Sequence, residues 1–150
     1  MEIINFFSTD GIKLNGFLHR QNTLNKDVIL AVHGMSSNCF KERDFAIANE
    51  VNKANIDYFG FNNRGSELVK YIKKDVNGKK EKILAGTSYE DVLDGYKDIV
   101  GAMLKLKELG YKNIYLQGHS LGCTKIIYTY NKLKESKNEL FNMINGVILL

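Results

Sequence analysis

The sequence has no long apolar run, and this absence limits where the protein is expected to act. No stretch approaches the roughly 18 apolar residues that a transmembrane helix needs. The first residues, Met1–Asn5, lack the basic region and long apolar segment of a signal peptide. We therefore expect a cytoplasmic protein with no membrane span.

Cysteine is also scarce. The two thiols, Cys39 and Cys123, lie in unrelated predicted elements and do not have the spacing of metal ligands. This pattern is typical of reduced, partly buried cysteines in a cytoplasmic protein, and we expect neither a metal nor a cofactor. The chain also contains no proline and no tryptophan, for which we have no physical account.

Arginine is rare, although the net charge is +4: the only arginines are Arg20, Arg43 and Arg64. Nucleic-acid sites favour arginine because its guanidinium binds phosphates and bases bidentately, so we expect no nucleic-acid partner. One dense group of lysines surrounds the turn-like segment Val76–Lys79. It is either a solvated basic loop or a surface near a pocket mouth that steers anionic substrates toward the cleft. Its members are Lys70, Lys73, Lys74, Lys79, Lys80 and Lys82.

Apolar segments typical of strands alternate with segments of helical periodicity along the chain. The composition, 44% hydrophobic and 25% charged, is that of an ordinary globular domain. The alternation predicts an α/β fold: a mostly parallel sheet with helices on both faces, preceded by an antiparallel strand pair that turns at Asp10-Gly11. The predicted strands are 2–8, 12–19, 28–32, 56–61, 113–117 and 146–150, and the predicted helices are 44–54, 88–109 and 121–134.

Residues 62–87 form a long connection between two predicted elements. A connection of this length predicts a functional loop or a short hairpin near the active site. Ser88 is expected to cap the helix that follows, with Glu90 and Asp91 in its first turn.

The pentapeptide Gly118-His119-Ser120-Leu121-Gly122 lies between a predicted strand and a predicted helix. A serine at such a turn has its Oγ pushed out of the sheet, and the helix N-terminus offers N–H groups to a developing oxyanion. Glycine is needed two residues either side of the serine because side chains there would collide with the neighbouring strand and helix. The arrangement predicts that Ser120 is a catalytic nucleophile. A helix-capping serine is the structural alternative.

A second loop, 33–38, follows the uninterrupted apolar strand 28–32 and begins His33-Gly34-Met35. Acyl transfer needs at least two preorganised donors aimed at the tetrahedral intermediate. In hydrolases with a strand–serine–helix turn, one donor is the N–H after the nucleophile, here Leu121. The other comes from the loop after the third strand, here the N–H of Met35.

These features resemble the α/β-hydrolase superfamily, and the likeness extends over the whole chain. The matching pieces are the His33-Gly34 loop, the 62–65 loop (Asn-Asn-Arg-Gly) and the 118–122 elbow. Asn62 stands where the superfamily often has aspartate. A narrower likeness links Ala85–Asp91 to a branch of esterases that includes siderophore-ester hydrolases in fungi. The resemblance implies a serine esterase or thioesterase.

The resemblance also implies a triad in the chain order Ser, Asp or Glu, His, yet no histidine follows Ser120. His19 is expected to face solvent and His33 to hold its loop backbone, while His119 cannot easily turn back toward its neighbour's hydroxyl. We therefore expect residues 1–150 to be the N-terminal portion of a single α/β-hydrolase catalytic domain, truncated after about the sixth strand. The triad acid and histidine would lie beyond residue 150. The terminal strand would be an exposed apolar edge, available for dimerisation.

Three functions fit these features. The leading hypothesis is a serine hydrolase that cleaves carboxylic ester or thioester bonds of a small-molecule substrate through an acyl-enzyme on Ser120. A non-catalytic ligand-binding protein on the same scaffold is an alternative from a different class. An acyltransferase with the same nucleophile is a third, because the acyl-enzyme half-reaction is shared.

The 150-residue polypeptide is expected to have no useful esterase turnover. Loss of a triad histidine lowers kcat by about 10⁶ in a comparable serine hydrolase, whereas each oxyanion donor contributes about 10²–10³. Hydrolysis of p-nitrophenyl acetate should therefore be equally slow for this chain and for its Ser120→Ala variant. Rapid hydrolysis that Ser120→Ala abolishes would contradict the expectation.

Overall fold

The computed structural model describes residues 1–20 and 25–150, and its centre is a six-stranded sheet. In spatial order the strands are β1, β2, β4, β3, β7 and β8. The pairs β1–β2 and β2–β4 are antiparallel, and β4, β3, β7 and β8 are mutually parallel. The strands are β1 (Glu2–Phe7), β2 (Lys13–His19), β3 (Asp27–Val32), β4 (Asp57–Asn62), β7 (Asn113–Gly118) and β8 (Ile144–Leu149).

Helices cover both faces of this sheet, as predicted. Helix α1 (Glu42–Lys53) packs on one face, and helices α2 (Gly95–Glu108) and α3 (Leu121–Glu135) pack on the other. The central strands are buried on both sides, which is why 28–32 is continuously apolar rather than alternating. The core under α1 comprises Phe17, Ile29, Ala31, Cys39, Ala48 and Tyr58, and the larger core under α2 and α3 includes Leu30, Phe59, Phe61, Ile99, Met103, Leu106, Leu116 and Ile126.

The long connection 62–87 contains a β-hairpin. Strands β5 (Lys70–Val76) and β6 (Lys79–Ala85) pair antiparallel through the turn at Asn77 and Gly78, both of which have positive φ. The hairpin is attached to the first turn of the chain by a bridge between Ile12 and Lys74. All six lysines of the predicted basic group are half-buried or exposed in this hairpin, and the Lys70 ammonium also donates to the Ser66 hydroxyl.

The predicted helix cap at Ser88 is wrong. Residues Thr87–Tyr89 and Val92–Asp94 form two separate 3₁₀ turns, and the α-helix begins at Gly95. The Asp91 carboxylate accepts the N–H of Leu93, so it caps the second 3₁₀ turn. The Glu90 carboxylate is 2% exposed and ion-paired with Lys125, so tertiary pairing prevails over the first-turn preference of an acidic residue.

Strand β8 forms one edge of the main sheet. Val147, Leu149 and Leu150 are exposed along it, so the predicted apolar edge is present. Dimerisation through this edge stays a prediction. Among the described helices, none combines the length and the apolar character that crossing a membrane would require.

A buried arginine connects the loop after β4 to helix α2 and to the turn between β1 and β2. The Arg64 side chain is 8% exposed; its guanidinium donates to Asp98 at 2.7 and 3.0 Å, to Asp10 at 2.8 Å and to Asp94 at 3.1 Å. The backbone N–H of Arg64 also donates to Asp98, at 2.8 Å. Burial alone would raise the pKa of Asp10, but the hydrogen bonds from Arg64 and Ser8 hold it below its ordinary value.

Removing the Arg64 charge should destabilise the fold strongly. Arg64→Met leaves the buried Asp98 carboxylate without its partner, and breaking a buried pair costs about 3–5 kcal/mol. The matched control is Arg20→Met, which removes an exposed pair with Glu2 worth at most about 1 kcal/mol. Urea denaturation of both variants measures the two free energies of unfolding. Equal losses would contradict the structural role given to Arg64.

Candidate active site

Ser120 occupies the turn between β7 and α3, and its backbone is strained. Its φ and ψ are 52° and −121°, a combination that non-glycine residues rarely adopt and that costs about 1–3 kcal/mol. The residue is exposed, so its hydroxyl is not part of the packed interior. Strain of this kind is concentrated at functional sites, and it agrees with a serine held out of the sheet.

The two glycines of the elbow are required by close backbone approach. A Cβ on Gly122 would lie 2.2 Å from the Val32 carbonyl oxygen, and one on Gly118 would lie 2.7 Å from Cys123 Cα. The first contact is with strand β3 and the second with helix α3. The predicted reason for both glycines, collision with the neighbouring strand and helix, therefore matches the packing.

The loop after β3 runs directly beside the elbow. A Cβ on Gly34 would lie 3.0 Å from Ser120 Cβ and 3.1 Å from the His119 carbonyl oxygen. Met35 follows at the tip of a turn in which the N–H of Ser37 donates to the Gly34 carbonyl. Within the described residues, neither the Met35 N–H nor the Leu121 N–H has a hydrogen-bond acceptor. The two predicted oxyanion donors are therefore both uncommitted.

His33 holds two loops together and is not free to exchange protons. Its Nε2 accepts the N–H of Asn63 at 3.2 Å, and its Nδ1 lies 2.8 Å from the Gly34 carbonyl oxygen. Because a backbone N–H can only donate, Nε2 must be unprotonated and Nδ1 must carry the hydrogen. Burial lowers the pKa of His33 to about 4, so the ring is neutral at pH 7.

Two polar side chains fix the loop after β3 from the other side. The side-chain amide oxygen of Asn62 accepts the N–H of Cys39 at 2.9 Å, so an amide serves here where the superfamily that the sequence resembles often has an aspartate. The Thr87 hydroxyl accepts the Ser36 N–H and donates to the Gly65 carbonyl, each at 2.8 Å. The loop bearing Met35 is thus held by the end of β4 and by the 3₁₀ turn at Thr87.

Solved structures with a similar fold include esterases and other hydrolases. The Pyrococcus furiosus esterase Pf2001 matches with a TM-score of 0.63 at 18% identity, over 91% of this chain and 47% of that one. Est1E from Butyrivibrio proteoclasticus with bound ferulic acid matches at 0.68 and 17% identity, over 95% and 50%. The α/β-hydrolase GrgF from Penicillium sp. sh18 matches at 0.72 and 16% identity, over 99% and 44%. A scan against protein-family models and a search of curated proteins found no match.

The chain has the α/β-hydrolase fold. It spans about half the length of the structures it matches, and at these identities the likeness concerns the fold alone. The narrower likeness to the siderophore-ester branch stays a prediction.

A cleft of about 360 Å³ opens over the elbow of this α/β-hydrolase fold. It brings together four of the residues singled out in the sequence, and three that sequence reasoning did not connect with the site. The first group is Gly34, Met35, His119 and Ser120, and the second is Ser37, Lys41 and Arg43.

Other candidates lie away from this cleft. None of the lysines in the β5–β6 hairpin lines it, so the steering hypothesis gains no geometric support. Cys39 is buried and free, and burial raises its pKa to about 12. The half-buried Cys123 has its Sγ 3.4 Å from the Leu150 carbonyl oxygen and does not line the cleft. His19, which the sequence predicts to face solvent, lies half-buried at the end of β2.

Sequence reasoning missed a buried ion pair that involves helix α3 of the α/β-hydrolase fold. Lys125 and Glu90 form it, with side chains 1% and 2% exposed. Lys125 also donates to the Asn63 side-chain oxygen at 3.3 Å, and the backbone of Asn63 donates to His33. A chain of polar contacts therefore runs from α3 to the loop after β3. In the sequence, Lys125 is indistinguishable from a surface lysine of α3, so no pattern identified it.

His33 should make stability depend on pH below neutrality. An unfolded histidine titrates near about 6.5 and the folded His33 near 4, so the unfolded chain binds more protons between these values. The free energy of unfolding should therefore fall by up to about 3 kcal/mol as the pH drops through this window.

Denaturation at several pH values, compared with His33→Gln, measures this loss. Glutamine keeps one donor and one acceptor for Gly34 and Asn63 but does not titrate in this range. The difference in free energy of unfolding between the parent protein and His33→Gln should shrink as the pH falls from 6.5 to 4. Parallel pH profiles would contradict the assignment of a neutral, buried His33.

Proposed function

We propose that this chain carries the nucleophile and oxyanion hole of a serine hydrolase that cleaves carboxylic ester or thioester bonds in small molecules. Residues 1–150 are, in this proposal, the N-terminal portion of a single catalytic domain. The acid and histidine of the triad come from beyond residue 150. One observation carries the proposal: an exposed serine in a strained backbone conformation, next to two uncommitted N–H groups.

The proposed reaction proceeds in two halves. The Ser120 oxygen forms a bond to the acyl carbon while the triad histidine takes the hydroxyl proton. The carbon–oxygen or carbon–sulfur bond of the leaving group then breaks, and the same histidine returns the proton to that alcohol or thiol. In the second half the histidine takes a proton from water, whose oxygen bonds to the acyl carbon. The bond from that carbon to the Ser120 oxygen then breaks, the histidine returns the proton to Ser120, and the carboxylic acid leaves.

The oxyanion hole is assigned to the N–H groups of Met35 and Leu121. The packing of Gly34 against Ser120 places the two loops in contact, and the start of α3 adds the positive end of a helix dipole. Stabilisation of the charge that develops on the carbonyl oxygen is worth about 10²–10³ in rate for each donor. Gly118 and Gly122 permit the turn, and His33 fixes the loop that bears Met35.

None of the three histidines in these residues fits the role of general base. His33 has both ring nitrogens engaged by backbone groups. His19 pairs with Tyr58 near the start of β4, at the sheet edge opposite the carboxyl ends of the parallel strands where Ser120 lies. His119 lines the cleft, but as the neighbour of Ser120 its ring cannot easily reach that hydroxyl. The proposal therefore assigns proton transfer to a fourth histidine.

Covalent labelling tests the nucleophile directly. A fluorophosphonate probe should phosphonylate Ser120 in the protein extended through its triad acid and histidine, with loss of fluoride. Peptide mass spectrometry should locate the adduct on the peptide containing residues 118–122. Ser120→Ala should abolish the adduct and lower ester hydrolysis by about 10⁶.

Ser136→Ala is the matched control, because Ser136 stands just past the opposite end of the same helix and its hydroxyl donates to the Lys132 carbonyl. It should leave labelling and hydrolysis unchanged. Labelling at another serine, or hydrolysis that persists in Ser120→Ala, would overturn the proposal.

A further inference from the structure

The cleft at Ser120 carries two cations and no acidic lining residue. Lys41 and Arg43 contribute to its wall on the side of α1, together with Ser37 from the oxyanion loop. Lys41 is the cap residue before α1 and Arg43 lies in its first turn, so both cations follow closely in the chain on the loop that carries the Met35 donor. The cleft is therefore positively charged beside the nucleophile.

The fold makes little use of these two charges. In the described part of the chain, the Lys41 ammonium forms no ion pair, and Arg43 has only Asp44, at 3.6 Å. That distance is longer than the 2.7–2.9 Å typical of a charge-assisted hydrogen bond, so the planar donor fork of Arg43 stays available. The Asp44 carboxylate is itself buried and accepts the Tyr58 hydroxyl at 3.1 Å.

The position of the two cations is unfavourable for the helix itself. Lys41 is the residue at the N-terminal cap of α1 and makes no side-chain cap hydrogen bond, and Arg43 lies in the first turn. Positive charge is disfavoured there because the helix dipole presents its positive end at the N-terminus. Neither Lys41 nor Arg43 is therefore explained by a contribution to the stability of helix α1.

We infer that the cleft selects anionic esters, in which the acyl or alcohol part bears a carboxylate or a phosphate that Lys41 and Arg43 bind while Ser120 faces the ester carbonyl. This inference rests on the proposed function and narrows its substrate class. A guanidinium binds either anion bidentately and an ammonium adds a point charge, so the shared chemistry is a compact, fully ionised group. A cleft of about 360 Å³ is of the size that small-molecule sites have.

Binding to the full-length Ser120→Ala protein measures this selection without turnover. The probes are methyl hydrogen glutarate, 2-acetoxyethyl phosphate and the neutral dimethyl glutarate, titrated at low ionic strength. At least one anionic ester should bind about threefold to tenfold more tightly than the diester, as expected for two exposed charges. The anionic ester that binds more tightly shows whether the cleft prefers a carboxylate or a phosphate. The preference should shrink in about 0.5 M NaCl because salt screens exposed charges.

The decisive comparison is between two double variants with the same change in net charge. Lys41→Gln with Arg43→Gln should remove the preference for the anionic esters. Lys112→Gln with Lys134→Gln, at exposed positions away from the cleft, should retain it. Equal binding of all three probes, or a preference that survives loss of Lys41 and Arg43, would overturn the inference.

Failure of the inference and failure of the proposed function give different results. If Ser120 is phosphonylated but the protein shows no preference for anionic esters, the inference about substrate class is wrong and the proposed serine hydrolase function stands. A preference that depends on Lys41 and Arg43, in a protein whose Ser120 is never acylated, supports the anion site and removes the ester chemistry.

Discussion

The arrangement of the site depends on how closely helix α3 approaches strand β3. There is no room for a side chain between the Gly122 backbone and the Val32 carbonyl, since a Cβ would lie 2.2 Å from that oxygen. This approach brings the first turn of the helix against the end of the neighbouring strand. Ser120 therefore emerges beside the loop that continues from β3, and the two loops form one wall. The strained backbone of Ser120 is the local cost of that turn.

Polar contacts then hold the loop after β3 in place beside Ser120. The side chains of Asn62 and Thr87 hold it from the end of β4 and from the 3₁₀ turn at Thr87, and His33 within the loop accepts the Asn63 N–H. The β5–β6 hairpin and the 3₁₀ turns after it belong to this support, because they carry Thr87 to the loop and Glu90 to Lys125. The connection that looks longest in the sequence thus contributes to the frame of the candidate site as well as to the surface.

The sequence predicted the sheet, the helices on both faces and the elbow because these follow from local patterns. Continuous apolar strands and paired glycines around a serine carry their structural meaning in a few neighbouring residues. The predicted start of α2 was wrong because Glu90 and Asp91 both suit the first turn of a helix. In the fold Glu90 instead pairs with Lys125, a contact that only the tertiary structure creates, and Asp91 caps a short 3₁₀ turn through the Leu93 N–H. Lys41 and Arg43 were missed for the same reason, since only the fold shows which wall they line.

The ion pair between Lys125 and Glu90 has an evolutionary consequence. Replacing either residue alone leaves an uncompensated charge in the interior, which costs about 3–5 kcal/mol, whereas exchanging both for apolar side chains of similar volume is often neutral. Single substitutions at either position are therefore selected against, whereas a paired substitution of both residues is tolerated. Homologous chains should keep both members of the pair or have lost both, so that the two alignment columns covary.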